Sequence, residues 1–418
     1  GAGAVTVSAS GQDVTLTDAS NAMTSVNITG ANIDVTDSNG IDIAAITSAT
    51  TLDVIAGDAI TDSGTITVSG AATFKTKKDA AAAITLNNAN VHTFGSVKAE
   101  TRNAADGATV AGAITIDENA AMDIAGLTTT STVSLTADGA ITDSGAIAAG
   151  AITIDTTGGA DAAARAVTIA GQTTNATSWD VSTTDGAISI DEDSATDLAA
   201  ITTTGNLAVV SAGSVTDSGV VSVGGTTAVT VATTESVTLD SANTFTGAMT
   251  FTAGDGTAGT AFGNVTVKNS TAVKLDTNAD AAGDLFLDAG TNWTVGGNLS
   301  IISGGAITQG IQLGVTGSAS FKTLNNTPKA ITLSNASNTF GAITAQTRNA
   351  ADGSDVAGNI AISEGAAMAI ADISTTGTLS LTTTGALTQS GAIGAGAVTV
   401  SASGQDVTLT DASNAMTS

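Results

Sequence analysis

The sequence predicts an all-β protein, in the form of a right-handed parallel β-helix (β-solenoid) with roughly 20 residues per coil and essentially no helix. Three observations lead to this prediction. Apolar and polar residues alternate in many short runs, the chain repeats itself on two length scales, and aromatic residues make up only 2% of the composition. Small β-branched side chains suit a narrow core between closely spaced sheets.

The alternating runs carry the strand prediction. Residues 14–17, 152–155 and 265–267 alternate apolar and polar side chains, and Gly, Asn, Asp and Ser stand between such runs. A period of two over three to five residues is typical of short, half-buried strands, and the intervening residues favour turns. No segment has the 3.6-residue amphipathic period of a helix.

The larger repeat is an identical segment. Residues 1–25 recur letter for letter as residues 394–418, so the sequence has a period of 393 residues. We therefore expect an excerpt of a longer tandem array, with one large unit at 1–393, the start of the next unit at 394–418, and ends that are cut points.

A shorter repeat lies inside the large unit. The motifs AITDSG, SVTDSG, AITQG and ALTQSG begin at positions 59, 140, 214, 306 and 386. They define about five subrepeats of about 80 residues. A longer internal match, starting at Phe74 and again at Phe321, indicates duplication. With coils about 4.8 Å apart, the 393-residue unit would rise on the order of 95 Å.

A string of five Ig-like sandwiches is the structural alternative, with one sandwich per subrepeat. The scarcity of aromatic residues, the single proline and the uneven subrepeat lengths count against it.

Charge and composition bound the partners. The net charge is −27 and there is no cysteine. An acidic surface disfavours nucleic acid and anionic lipid, and the lack of cysteine suits an exported bacterial protein. No stretch approaches the ~20 apolar residues of a membrane helix. We expect an extracellular or cell-surface location and no membrane insertion.

Four phrases carry a family resemblance: AITDSGTITVSGAATF, ITLNNANVHTFGSV, ANTFTGAMTF and NAMTSVNITGANIDVTDSNGIDI. They resemble the repeats of giant secreted bacterial adhesins of the filamentous haemagglutinin-like type. The resemblance covers nearly the whole chain and implies right-handed β-helix rods, surface export and roles in adhesion, aggregation or filament building.

Candidate catalytic residues are few. His92 is the single histidine, and the sister repeat lacks it, so we interpret it as a surface or turn residue. The acidic residue of the TDSG motif is replaced by glutamine in two copies, which can keep a turn hydrogen bond but cannot act as a general base. We therefore interpret this position as structural in all five copies: Asp62, Asp143, Asp217, Gln309 and Gln389.

Two acidic groups are weak candidates for loosely bound Ca²⁺, which prefers six to eight oxygen ligands. Neither matches an EF-hand or a GGxGxD tract, and we expect no dedicated cofactor. The candidates are Asp191, Glu192, Asp193, Asp276, Asp280 and Asp284.

Aromatic and basic residues recur with the subrepeats. We interpret the phenylalanines as core residues, and the basic segment as ordinary surface charge with acidic faces of neighbouring fibres as the alternative partner. The residues concerned are Phe74, Phe94, Phe245, Phe251, Phe321 and Phe340, and Lys75, Lys77, Lys78, Lys98, Arg102, Lys322, Lys329 and Arg348.

The sequence therefore predicts a non-enzymatic structural repeat, a stiff acidic rod of a giant extracellular bacterial fibre or surface filament. Its expected partners are adjacent copies end to end, with possible lateral contacts between rods or with cell surfaces. The alternatives are an adhesin rod that itself binds carbohydrate or a cell surface, and a β-helix polysaccharide lyase or hydrolase.

Overall fold

The computed structural model describes residues 3–88, 92–160, 165–254, 261–276, 281–288 and 293–417. These residues form strands, bridges and turns and no helix, which confirms the all-β prediction. Accordingly, none of them belongs to a helix able to cross a membrane. The chain divides into two compact units, Gly1–Asn206 and Leu207–Ser418.

The strands of the first unit, as far as its residues are described, are β1 Ala4–Ser8, β2 Val14–Leu16, β3 Ser25–Asp37, β4 Ile41–Ala56, β5 Ile60–Asp62, β6 Ile66–Lys77, β7 Ile84–Leu86, β8 Thr93–Arg102, β9 Ile114–Glu118, β10 Met122–Thr128, β11 Val133–Ala137, β12 Ile141–Asp143, β13 Ile147–Ala148, β14 Ala151–Asp155, β15 Val167–Ile169, β16 Thr174–Asn175, β17 Ser178–Ser182, β18 Ile188–Glu192 and β19 Thr196–Thr203.

The described strands of the second unit are β20 Leu207–Ser211, β21 Val215–Thr216, β22 Val221–Val223, β23 Thr227–Val231, β24 Val237–Leu239, β25 Thr244–Phe245, β26 Met249–Ala253, β27 Val265–Asn269, β28 Val273–Leu275, β29 Asp284–Asp288, β30 Trp293–Val295, β31 Leu299–Ser303, β32 Ile307–Gln309, β33 Leu313–Leu324, β34 Ile331–Leu333, β35 Thr339–Arg348, β36 Ile360–Glu364, β37 Met368–Ser374, β38 Leu379–Thr383, β39 Leu387–Gln389, β40 Ile393–Ala395, β41 Val398–Ser401 and β42 Ala415–Met416.

Within each unit the described strands pair in parallel with strands further along the chain. The step between paired residues is 17 residues from Val26 to Ile43 and 34 residues from Val265 to Leu299, and most steps lie near 20. A parallel partner this far along the sequence requires the chain to return to the same edge for every new strand. The pairing therefore repeats one local operation many times.

This repetition stacks like on like. In the first unit, one column of buried side chains runs through six strands in register. Each member lies on the next at the strand spacing, so apolar surface is buried continuously along the stack. The column consists of Ile84, Ile114, Val133, Ile152, Trp179 and Leu198.

The phenylalanines lie inside, as predicted. Phe74, Phe251 and Phe321 are fully buried, and Phe74 and Phe321 each contact a second phenylalanine edge-on at ring-centroid distances of 5.8 and 6.1 Å. Aromatic pairs in this geometry add stabilisation beyond their buried area. The two contacts, Phe74 with Phe94 and Phe321 with Phe340, are the same contact in the two sister segments.

Two expectations about the strands are wrong. Several strands exceed five residues, up to the 16 residues of β4, because they continue through the turn between two faces with only a register shift, as at Gly30 and Asn32. Threonine also does not point outward throughout. Thr101, Thr129 and Thr375 are buried, and their hydroxyls donate to the carbonyls of Val110, Gly112 and Gly358. Each thus satisfies a buried turn carbonyl.

Candidate functional site

A buried polar pair occupies the TDSG position of the first subrepeat. The Nε2 of His92 lies 2.9 Å from Oδ2 of Asp62, and both side chains are 1% exposed or less. The Nδ1 of His92 accepts the backbone N–H of Ile66 at 3.2 Å. An imidazole nitrogen that accepts a hydrogen bond carries no proton, so the proton lies on Nε2, facing the carboxylate.

The same arrangement recurs in the second unit with asparagine in place of histidine. Asn243 donates from Nδ2 to Oδ2 of Asp217 at 2.7 Å, and its Oδ1 accepts the N–H of Val221 at 2.9 Å. Asn243 is buried. One acceptor and one donor on a single side chain therefore link the loop, the acidic residue and the following strand in both copies.

Where glutamine replaces the acidic residue, the pair becomes two amides. Gln309 donates to Oδ1 of Asn338 at 2.5 Å, and Asn338 donates back to Oε1 of Gln309 at 3.1 Å. The Oδ1 of Asn338 also accepts the N–H of Leu313. Gln389 and Asn414 exchange the same two bonds. A Gln side chain can both donate and accept, so the contact survives the loss of charge.

The interpretation of His92 as a surface or turn residue is therefore wrong. His92 is fully buried, stacks on Phe94 at a ring-centroid distance of 6.3 Å, and stands where its sister segment has Asn338. The absence of histidine from the sister copy misled the interpretation, because asparagine makes the same two types of contact.

The second subrepeat closes this position differently. Oδ1 of Asp143 accepts the N–H of Ala170 at 2.7 Å, while the N–H of Ile147 bonds the carbonyl of Thr173 instead of a side chain. The buried Oδ2 of Asp143 has no hydrogen-bond partner. Burial raises the pKa of Asp143, which the hydrogen bond from Ala170 opposes.

A second recurrent position holds an inward-facing acceptor at the end of a strand. Oε1 of Glu118 accepts the N–H of Phe94 at 2.8 Å, and Oε1 of Glu364 accepts the N–H of Phe340 at 2.7 Å. Asp37, Glu192 and Asn269 accept backbone N–H groups in the same relation. The acceptor satisfies an N–H that the turn leaves without a ladder partner.

The two sister glutamates differ from the other three in their free oxygen. Oε2 of Glu118 and Oε2 of Glu364 are buried without a hydrogen-bond partner. Burial raises the pKa of each carboxyl to about 7, against the lowering effect of the N–H of Phe94 and Phe340 respectively. Both groups therefore change charge near neutral pH.

Sequence reasoning missed this glutamate position. Glu118 ends the alternating run ITIDE and Glu364 the run IAISE, at the phase of the buried residues. A charged residue on the buried phase of a strand, repeated in two sister segments, was the available signal.

The first group of calcium candidates does not converge on one point. Glu192 faces inward, is 1% exposed, and accepts hydrogen bonds from the N–H of Ala176 and from Nε1 of Trp179. Asp191 alternates to the outer face, and Asp193 is exposed and accepts the N–H of Thr174. Burial raises the pKa of Glu192, which the bond from Trp179 opposes most.

In the second group, Asp276 and Asp284 both lie near Lys274, with 3.7 Å between Nζ of Lys274 and Oδ1 of Asp284. Oδ2 of Asp284 accepts the N–H of Ala281. Asp280 lies outside the described residues. Over the described part of the chain, no group of three or more His, Cys, Asp or Glu side chains is placed to hold a metal ion.

The basic residues pair within their own segment. Lys75 contacts Glu100 and Asp106 at 3.3 and 3.4 Å, and Arg102 contacts Asp106. The sister segment repeats this with Arg348 on Asp352 and Asp355. This is the local surface charge that the sequence predicted, rather than a basic patch awaiting a partner.

A groove with a cavity of about 410 Å³ opens in the second unit beside Glu364. Thr294, Thr316 and Thr339 line it together with Phe340. Glycines at 314 and 341 stand between these threonines, which leaves the depression. Its volume falls in the range of small-molecule sites.

The comparison with family models identifies the repeats. A model described as Repeats of unknown function (DUF5649) matches residues 30–99, 185–252, 250–347 and 357–418, well over half of the chain. The chain belongs to this repeat family. No characterised protein and no solved structure matches the sequence. The family repeats include both the Asp217–Asn243 pair and the Gln309–Asn338 pair.

Proposed function

We propose that the chain is a structural, non-enzymatic repeat of a giant extracellular bacterial fibre, built as a right-handed parallel β-helix. The observation that carries the proposal is the parallel, in-register pairing that recurs about every 20 residues within each unit. Such pairing gives continuous backbone hydrogen bonding along one direction, and hence a stiff element.

The duplicated segment supports stacking of successive units. Its copy at the start forms β1, in which Val7 pairs with Ile28 of β3. Its copy at the end forms β41, in which the equivalent Val400 pairs with Leu381 of β38. One copy thus accepts a strand on the following side and the other on the preceding side. A segment with both neighbours would join two 393-residue units without a break in the ladder.

Right-handedness rests on the chirality of parallel connections. A strand joined by a crossover to a parallel neighbour turns almost always to the right, because of the intrinsic twist of strands. Each described ladder here joins parallel strands through such returns. Stacking of the returns at about 4.8 Å would make each 393-residue unit on the order of 95 Å long.

The surface supports a role in contacts rather than in chemistry. The net charge of −27 keeps a long rod soluble and separates it from nucleic acid and anionic lipid. The buried titratable groups His92, Asp62 and Asp217 are engaged in bonds that hold neighbouring strands. We therefore assign the rod to adhesion, aggregation or contact between cells, with adjacent copies as end-to-end partners.

Electron microscopy of a two-unit tandem tests the proposal. The tandem would carry residues 1–393 followed by the whole chain, and we expect rods that lengthen by on the order of 95 Å for each added unit. Beads about 40 Å apart would instead support a string of sandwiches and overturn the β-helix.

A charged residue at the joint provides the control. Val400→Asp in the first copy of the tandem should bend or break the rod at its middle, because the equivalent strand would face two neighbours with a buried carboxylate. Thr399→Asp, on the outward phase of the same strand, should leave the rod straight. If both variants keep straight rods, the joint is not the stacked strand that we propose.

A further inference from the structure

The groove beside Glu364 combines four features of a ligand site. Thr294 pairs with Gly314, and Gly314 with Thr339, so three successive strands present Thr, Gly and Thr side by side on the outer face. The missing side chain at the centre opens the cavity of about 410 Å³. The buried carboxyl of Glu364 forms part of its wall, and Oε2 of that carboxyl lacks a hydrogen-bond partner.

The sister segment shows what a closed groove looks like. There Thr47 pairs with Thr67, and Thr67 with Thr93, so threonine fills the position that Gly314 leaves open. Glu118 stands below it as Glu364 does in the second unit. Gly314 does not have a positive φ, so the backbone does not require glycine there. The glycine is needed for the space above it.

The lining selects the class of ligand. Threonine hydroxyls and the amide of Gln312 offer donors and acceptors, and the ring of Phe340 offers an apolar face. A metal cation would find one carboxyl where it needs several oxygens. An anion would meet an unpaired carboxyl, and a lipid chain would meet mainly hydroxyl groups.

We propose that the groove across Thr294, Gly314 and Thr339 binds one ring of a neutral saccharide, with a hydroxyl group of the sugar satisfying Oε2 of Glu364. The threonine hydroxyls hold further sugar hydroxyls, and the ring of Phe340 packs against C–H groups. The site goes beyond the proposed rod and does not depend on it, since the groove lies within one segment of the second unit.

Saturation-transfer NMR of the full chain tests the site. The probes are the methyl glycosides of glucose, galactose, mannose and N-acetylglucosamine, titrated to about 10 mM to reach weak affinities. We expect at least one glycoside to bind. Gly314→Thr, which copies the closed sister groove, should weaken that binding at least about tenfold, and Thr339→Val about threefold.

The sister segment provides the matched control. Thr93→Val removes the equivalent hydroxyl beside Thr67 and should leave binding unchanged. Circular dichroism would verify that each variant keeps its strands. The proposal is overturned if no glycoside binds to the wild-type chain, if Gly314→Thr binds as well as wild type, or if Thr93→Val weakens binding as much as Thr339→Val.

Discussion

The Nε2 of His92 lies 2.9 Å from Oδ2 of Asp62, in the position where Asn338 meets Gln309 in the sister segment. In both copies the same side chain also accepts the N–H that starts the next strand, from Ile66 or from Leu313. Histidine and asparagine are thus alternatives for one structural task. The chemistry that the task requires is one acceptor and one donor, without a need for charge.

Replacing His92 by asparagine should therefore be nearly neutral, whereas His92→Ala should destabilise the chain. Alanine leaves the N–H of Ile66 and the carboxyl of Asp62 buried without these partners, at about 1–3 kcal/mol for each group. Urea unfolding followed by circular dichroism would measure the two variants. Equal losses in His92→Asn and His92→Ala would show that the imidazole ring itself, through its stacking on Phe94, is what matters.

The two sister glutamates predict a stability that falls as the pH rises. The folded pKa of Glu118 and of Glu364 is about 7, above the usual 4.5 of an unfolded glutamate. The folded chain therefore holds these protons more tightly, so their contribution is full below about pH 4.5 and is lost by about pH 7. Each shift corresponds to at most about 3 kcal/mol. The melting temperature should be higher at about pH 5 than at about pH 8.

Glutamine variants separate this effect from the rest of the protein. Glu118→Gln combined with Glu364→Gln should flatten the pH profile, because an amide stays neutral at every pH. A residual slope of the same sign is expected, since burial also raises the pKa of Glu192, Asp143 and Asp217. Glu235→Gln serves as the control substitution of a carboxyl that bonds a serine hydroxyl. An unchanged slope in the double variant would contradict the assignment.

Alternation in the sequence predicted the strands because burial in this fold depends on the phase of the residue. Ile114, Ile116 and Glu118 share the buried phase of β9, and their neighbours Thr115 and Asp117 do not. The fate of individual polar residues did not follow from the same rule. Thr101 and Glu118 are buried because turns leave backbone carbonyl and N–H groups without ladder partners, and those turns are not visible in a period of two.

The polar pairs show a second limit of sequence reasoning. The position of Asp62, Asp217 and Gln309 was predicted to be structural from the exchange of Asp for Gln. The partner of each residue lies 26 to 30 positions further on, and its identity as His92, Asn243 or Asn338 follows only from the register of the stacked strands. A one-residue difference in the returning loop would move another side chain to this position.

Calcium gives a prediction from the geometry of the candidate ligands. Glu192 is turned inward onto Trp179, and Asp193 bonds a backbone N–H, so the first acidic group offers no joint coordination. About 1 mM CaCl₂ should leave the melting temperature unchanged relative to the same buffer with a chelator. A saturable rise with Ca²⁺, absent with Mg²⁺, would show that the acidic groups coordinate the ion after all.

The glycine of the TDSG motif predicts a sharp steric effect. A Cβ on Gly145 would lie 1.9 Å from the carbonyl oxygen of Ala125, and one on Gly64 would lie 1.7 Å from that of Ala44. Backbone of a stacked neighbour cannot move aside without breaking its own ladder, so Gly145→Ala should destabilise by about 1–3 kcal/mol or more. Gly107→Ala is the matched control, because no atom lies within 4 Å of its Cβ position. Urea unfolding should show a clear loss for Gly145→Ala and almost none for Gly107→Ala. Equal stability of the two variants would mean that the neighbouring strands stand further apart at this motif than their pairing requires.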